Sequence, residues 1–448
     1  MSDASDELVK WRETHLNSIS PSFCAAKWYN ATIWLGNGTT ASCHHPPAHK
    51  IPLEEVALSH KAIHNTQYKK LIRKQMLEGE FPKECEYCWK IEDTGPDALS
   101  DRVYKTVIYS DKDLDHAFTL PIQNDVDLKT LEISFDRTCQ FACSYCNPAF
   151  STTWVKDISQ NGPYTNLVSD GRNHFTHIHS SSQLFKPGEE NPFVTAFFQW
   201  WETGLSQNLT ELRLTGGEPL MSPETWRLLD WFEKNNTDMK FALNSNLGAK
   251  ADIIDRLIEA TKNLKHFHLY TSNESLGLQA EYIRDGLVWS DWANNLDKIL
   301  QNGNIEGLHM MCTINALCLD SLPKFLDVLM QYKTEWGKDF PTFTLNILRF
   351  PSFQSPLILP REIKQQYSND LQAWYNANKD SEFLHDMERN HVLRLIQYLN
   401  TVETPHSGAQ SVDILVQDFK RFFEQYDQRR NKDFCKTFPN LAAWYNSL

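Results

Sequence analysis

Six short apolar or β-branched runs follow one another through the middle of the chain: Leu131–Phe135, Glu211–Thr215, Lys240–Leu243, His266–Thr271, Leu308–Ile314 and Thr342–Leu348. Between most of them lie stretches with apolar residues at i, i+3 and i+4, among them Trp226–Asn235, Ala251–Asn263 and Ser321–Tyr332. That spacing marks one face of a helix. Strands alternating with helices imply crossover connections and a parallel sheet. The sequence therefore predicts an α/β fold of six β/α units, as a partial (β/α)6 barrel or as an open doubly wound sheet. In both layouts function gathers at the C-terminal ends of the strands.

Residues 128–358 carry this pattern, interrupted by a polar, turn-rich insertion at about 157–208. Residues 359–448 read as a helical region with helices over Glu362–Asn376, Asp380–Asn400 and Ser411–Tyr426. Residues 1–127 are expected to form a separate cysteine-bearing domain. Its end is marked by the charged, turn-rich stretch Ile91–Asp127, which holds TGPDALSD and SDKDLDH. A length of 448 residues suits two to three domains at about 150 residues each.

Lys and Arg number 44 against 57 Asp and Glu, a net charge of −13. That balance argues against holding bare nucleic acid through a globally basic surface. No run approaches the roughly 18 apolar residues of a membrane span. The opening MSDASDELVKWRETHL is acidic and polar, unlike a secretory signal. A cytoplasmic location is the expectation. In a reducing compartment ten cysteines ask for a metal reading rather than a disulfide framework.

Cys139, Cys143 and Cys146 are spaced C-x3-C-x2-C in the loop that follows the first strand. Three thiolates in eight residues can wrap one soft metal centre. A mononuclear zinc site normally takes four ligands. A cubane iron–sulfur cluster tolerates three when its fourth iron binds something else. With this triplet, and with the aromatic Tyr145 before its last cysteine, the sequence resembles the radical S-adenosylmethionine (radical SAM) superfamily. A second match lies at the end of the second strand, in Leu214-Thr215-Gly216-Gly217-Glu218-Pro219-Leu220. Paired glycines let backbone approach closely, and a carboxylate can accept hydrogen bonds from an ammonium group. The segment is similar to the family's GGE motif, which implies that Gly216, Gly217 and Glu218 bind the methionine amino group.

The resemblance implies a [4Fe–4S] cluster on the three cysteines, with S-adenosylmethionine chelating the open iron. An electron from a donor such as flavodoxin or ferredoxin would cleave the cofactor, and a 5′-deoxyadenosyl radical would take a hydrogen atom from substrate. It also implies cofactor contacts from Ser272 and Glu274, at the end of the fourth strand, and from Arg284. Asn244 and Asn246 end strand three, and Thr313 and Asn315 end strand five. With Arg349, which could meet an anionic substrate group, they are further candidates at the same mouth.

Four more cysteines, Cys24, Cys43, Cys85 and Cys88, precede the β/α pattern. Ala31–Leu35 and Thr39–Ser42 flank an Asn37-Gly38 turn signal and read as a hairpin. It would bring Cys24 and Cys43 together on adjacent strands, and a helix over Lys61–Gly79 would return the chain to the CxxC. The spacing alone fits either structural zinc or an iron–sulfur cluster. The pattern resembles the twitch/SPASM module of radical SAM proteins, in its less common N-terminal placement. That resemblance implies one auxiliary [4Fe–4S] cluster on four cysteine ligands. His44, His45 and His49 read as solvated loop residues and Cys312 as core, while Cys318 and Cys435 have no sequence partner.

Taken together, the resemblance implies an enzyme acting on a substrate held between barrel and auxiliary module. A peptide undergoing post-translational modification is the first substrate class, and a small metabolite (amino acid, sugar or nucleoside) the alternative. A non-catalytic, zinc-stabilised interaction protein is the reading of another class. Trp28, Trp34, Trp89 and Trp154 offer stacking surfaces, although core packing accounts for most aromatics.

Overall fold

The computed structural model describes residues 3–168, 175–176, 185, 189–405 and 410–448. Part of the insertion expected at 157–208 lies outside the described residues. The described strands are β1 (Asn30–Trp34), β2 (Thr39–Ala41), β3 (His49–Lys50), β4 (Thr130–Ser134), β5 (Ala142–Cys143), β6 (Glu211–Thr215), β7 (Lys240–Ser245), β8 (Phe267–Thr271), β9 (Arg284–Asp285), β10 (Gly307–Ile314) and β11 (Thr342–Ile347). All six expected strands are present within one or two residues of their expected ends. The chain divides into two compact units, Met1–Asp136 with Gln183–Leu214, and Arg137–Ser182 with Thr215–Leu448.

In the first unit the strands run β6-β4-β1-β2-β3. The expected hairpin is there: β1 pairs antiparallel with β2, with Trp34 opposite Thr39. Gly38 adopts φ +63° in its turn, a conformation open to glycine at little cost. The hairpin is not a free-standing element. β1 also pairs in parallel with β4, from Asn30 opposite Thr130 to Trp34 opposite Ser134. Burial alternates along β1 and through the first four residues of β4, as strand geometry requires, and Ser134 at the end of β4 is buried beside Ile133.

Three sequence expectations are corrected in this unit. Ile91–Asp127 is not all turn, because helices occupy Asp101–Thr106 and Asp111–Thr119. Ser100 and Ser110 cap them, and Ser110 forms a capping box with Asp113. Residues that suggest turns are also the residues that start helices. The helix expected over Lys61–Gly79 is a 3-10 turn, His60–Ile63, followed by a helix over Gln67–Leu77 that starts at the Thr66 cap. Cys24 lies before the short helix Ala26–Tyr29 and Cys43 after β2, so neither sits on a strand.

The second unit carries a parallel ladder in the order β7-β8-β10-β11, in register from Phe241 opposite Phe267 to Ile314 opposite Ile347. The strands of each unit form an open ladder. Helices return the chain between strands: Pro223–Lys234 buries Trp226, Leu228, Leu229 and Phe232, and Ala251–Thr261 buries Ile254 and Leu257. Proline at the first turn starts both Pro223–Lys234 and Leu322–Trp336, where its missing N–H costs nothing. A helix not expected from sequence, Trp289–Asn302, buries Trp292, Leu296 and Ile299.

The C-terminal helices are Arg361–Asn378, Asp386–Thr401 and Val412–Arg430, followed by Phe434–Thr437 and Pro439–Ser447. The second begins six residues later than expected. His385 caps it in a box with Glu388, and Glu388 meets Lys333 in a fully buried ion pair at 2.9 Å. Phe419, Phe422, Phe423 and Tyr426 are buried along the third. Among the described residues no helix is long and apolar enough to cross a membrane.

Candidate functional site

The triplet loop sits where β/α folds place function, directly after a strand. Cys143 lies on the two-residue strand β5, opposite Arg284 on β9, and Ser144 N–H donates to the Ile283 carbonyl at 2.7 Å. Phe141 anchors the loop. It is 2% exposed, and its ring or backbone would lie 2.3 Å from a Cβ on Gly248 and 2.8 Å from one on Gly286. Only bare backbone fits on either side of that ring. Thr152 and Thr153 hydroxyls bond the Cys139 carbonyl at 3.2 and 2.7 Å, and Trp154 Nε1 donates to the Cys143 carbonyl at 3.0 Å.

The glycine pair has a structural role that explains the residue types. A Cβ on Gly217 would lie 2.3 Å from the Thr138 carbonyl oxygen and 2.7 Å from the Arg137 carbonyl carbon. Gly216 adopts φ +134°, a region that side chains disfavour. Glu218 N–H donates to the Thr138 carbonyl at 2.6 Å. The close approach expected toward a ligand is thus made, in this structure, to the loop that carries Cys139.

Glu218 is 1% exposed. Its carboxylate accepts from Leu220 N–H at 3.2 Å, the Ser245 hydroxyl at 2.8 Å and Asn246 N–H at 2.7 Å. Burial lifts its pKa to about 7, against the lowering pull of those donors. Asn246 continues the chain of contacts: its amide nitrogen lies 3.8 Å from Cys139 Sγ and its carbonyl accepts from Gln140 at 3.0 Å. The GGE segment, the end of β7 and the triplet loop are therefore one hydrogen-bonded assembly.

A second network reaches Cys143. Arg284 and Glu274 form a buried ion pair at 2.6 Å, and the Tyr145 hydroxyl donates to the other Glu274 oxygen at 3.0 Å. The Arg284 guanidinium lies 4.0 Å from Cys143 Sγ and 5.6 Å from the Tyr145 ring centroid. Arg284 Nε is buried without a hydrogen-bond partner. An orphaned, charged donor is costly and fits a site that receives an anionic group. Burial pushes the Cys143 thiol up to about 11 although Arg284 lowers it, and pushes Cys146 up to about 12. Cys139 rises too, through burial and the neighbouring Cys143.

The remaining candidates are spread more widely. Ser272 is partly buried at the end of β8. Asn244 contacts Met311 sulfur at 3.8 Å. Asn315 is spent on its own turn, accepting from Leu317 and Cys318 N–H and donating to the Thr313 carbonyl. Arg349 is exposed. Cys312 and Cys318 are fully buried, and Cys435 bonds Asn446 at 3.5 Å.

In the first unit Cys24, Cys43, Cys85 and Cys88 line one cavity, with Lys27, Arg102 and Lys105 in its wall. Lys27 is buried and paired with Glu84. Arg102 is held by Glu92 at 2.7 Å and the Phe23 carbonyl at 3.0 Å. Burial raises the Cys85 and Cys88 thiols to about 12 and about 11, while Lys27 draws Cys85 back down. Buried cations beside thiols favour their thiolate forms. Trp28, Trp89 and Trp154 are core residues.

The spread of the sulfurs bears on which metal fits. A tetrahedral zinc with Zn–S of about 2.3 Å sets its sulfurs about 3.8 Å apart. Among the described residues no three cysteines have their sulfurs all within 4.8 Å of one another; His44, His45 and Asp101 are the group that meets that limit. Both cysteine sets are wider than one zinc ion requires. The wider grip of a polynuclear cluster suits them. Of the three histidines His44 is exposed as expected, whereas His45 bonds Asp101 at 2.7 Å and stacks on Tyr87, with ring centroids 3.7 Å apart, and His49 meets the Thr66 hydroxyl at 3.0 Å.

No family model matches the chain, and no curated protein matches it. Solved structures give distant alignments. Streptococcus suis SuiB bound to S-adenosylmethionine aligns at 11% identity and TM-score 0.37, over 81% of this chain and 71% of SuiB. SuiB bound to its precursor peptide SuiA aligns at 12% and 0.37, over 79% and 70%. Native anSMEcpe with bound AdoMet and Cp18Cys peptide aligns at 13% and 0.27, over 53% and 86%.

Proposed function

We propose that this chain is a radical SAM enzyme that carries one auxiliary cluster and acts on a peptide. The observation that carries the reading is the convergence, in one unit, of the C-x3-C-x2-C loop with both family-like features. The GGE backbone is locked against Arg137 and Thr138, next to Cys139 in sequence, and the Arg284–Glu274–Tyr145 network stands beside Cys143. A [4Fe–4S] cluster held by Cys139, Cys143 and Cys146, reduced by an external donor, would supply the reducing electron and the open iron for cleavage of S-adenosylmethionine, and so the means to take a hydrogen atom from substrate.

The chain's own residues have separable tasks. Cys139, Cys143 and Cys146 hold the metal centre. Asn246 and Arg284 point donors at the sulfurs of Cys139 and Cys143. Hydrogen bonds to cluster sulfurs tune reduction potential. Glu274 fixes Arg284 in place, and the unpartnered Arg284 Nε is available to a carboxylate such as that of methionine. Glu218 ties the glycine pair to the end of β7. Cys24, Cys43, Cys85 and Cys88 would hold the auxiliary cluster, whose negative charge Lys27 offsets. A peptide is the substrate class implied by the twitch-like cysteine spacing.

Cys143→Ala tests the reading. Under anaerobic, reducing conditions the wild-type protein is expected to release 5′-deoxyadenosine from S-adenosylmethionine, and the variant none above background. Release by a clean variant preparation at the wild-type rate would overturn it.

A further inference from the structure

A cavity of about 890 Å³ opens at the C-terminal end of β11, where the strand passes into Arg349 and the short turns Ser352–Gln354 and Pro356–Ile358. Its volume is that of a ligand pocket, and C-terminal strand ends are where parallel α/β folds bind ligands. Its wall holds Arg349, Ser355, Arg394, Gln397, Tyr398 and Thr401 among others. Among the described residues, two guanidinium groups line it and no carboxylate does. In a chain of net charge −13, a pocket wall with two arginines creates a local positive potential that favours anions.

Arg394 is fixed at the strand edge by the Leu345 carbonyl at 2.7 Å and His391 Nδ1 at 2.8 Å. Arg349 is exposed, close enough to Tyr398 for its charge to be felt at the hydroxyl. The Tyr398 hydroxyl itself lies 3.2 Å from the Ser355 hydroxyl. Such a group of a rigid cation, a reachable cation and two hydroxyls suits a planar, bidentate acceptor.

The pocket wall is tied to the metal loop. Gln354 lies between the lining residues Ser352 and Ser355 and is 1% exposed. Its amide donates to the Ser144 carbonyl at 2.8 Å and its carbonyl oxygen accepts from the Ser144 hydroxyl at 3.0 Å. Ser144 separates Cys143 from Tyr145. One side chain therefore links the pocket's turn to the centre of the C-x3-C-x2-C loop.

We propose that this cavity seats a carboxylate of the substrate peptide, with Arg349 as its charge partner, and so selects peptides acidic near the reacting residue. The proposal rests on the peptide-modifying reading above and names what that site selects. The carboxylate is supplied by an acidic side chain or by a free C-terminus.

Fluorescence anisotropy of the anaerobically purified holoprotein tests it with three rhodamine-labelled tetrapeptides. They are Ala-Ala-Glu-Ala amide, tetra-alanine free acid and tetra-alanine amide. One of the two carboxylate peptides is expected to bind at least tenfold tighter than the amide control, and which one does so identifies the source. Arg349→Glu is expected to abolish that preference, Arg349→Lys to keep it within threefold, and Lys324→Glu, at an exposed residue of Leu322–Trp336, to leave it intact. Equal binding of all three peptides, undetectable binding of any, or an undiminished preference in Arg349→Glu overturns the proposal. Iron content and 5′-deoxyadenosine release need no peptide and are measured on the same wild-type preparation. Their absence defeats the enzymatic reading, whereas their presence without carboxylate preference defeats the pocket alone.

Discussion

Gly217 shows how single residues set this site. Its missing Cβ leaves room for the Thr138 carbonyl, and an added methyl would stand 2.3 Å from that oxygen with backbone on both sides. Neither partner is a flexible side chain that can move away. Gly217→Ala is expected to cost about 1–3 kcal/mol and to displace the loop bearing Cys139. Thermal unfolding and iron content of the anaerobic protein measure both effects; an unchanged melting temperature with full iron would refute the steric account. At this scale the sequence was informative where chemistry is written in residue type. Three cysteines at strict spacing and a GGE have few other uses. The Asn246 contact to Cys139, the clamp on Phe141 and the Gln354–Ser144 link were not readable. Each joins residues about a hundred or more positions apart, and an asparagine or glutamine carries no sign of its eventual partner.

Elements were readable in proportion to their periodicity. The six central strands and the helices Pro223–Lys234, Ala251–Thr261 and Leu322–Trp336 repeat apolar residues cleanly, and they lie where expected. The helices Asp101–Thr106 and Asp111–Thr119 are short, and their caps, Ser100 and the Ser110-x-x-Asp113 box, imitate turn signals. The parallel pairing of β1 with β4 could not be foreseen, because a hairpin's outer edge does not announce what joins it. The cysteines of the first unit come from four separate places: the approach to Ala26–Tyr29, the bend after β2, a 3-10 turn and the helix Glu86–Glu92. Such a composite site should serve a distinct part of the reaction. Cys88→Ala is expected to keep release of 5′-deoxyadenosine but lose modified peptide, as read by mass spectrometry of the reaction. Unchanged product with the second cluster demonstrably absent would make that cluster dispensable.

For the whole molecule, composition set bounds that the fold respects. Among the buried cations of a chain of net charge −13, Lys27 and Arg102 stand by one cysteine set and Arg284 by the other. Each cysteine set thus has at least one nearby positive charge that favours the thiolate metal binding requires. Two cysteine centres, one in each compact unit, predict two clusters per chain. The account depends most on the first, and specifically on one iron that the protein leaves open. Electron paramagnetic resonance of the reduced Cys88→Ala protein, reconstituted with iron and sulfide, isolates that centre. Addition of S-adenosylmethionine is predicted to shift the g-values of its [4Fe–4S] signal, because the cofactor binds the cluster directly. A cluster signal that is identical with and without saturating S-adenosylmethionine would contradict the account.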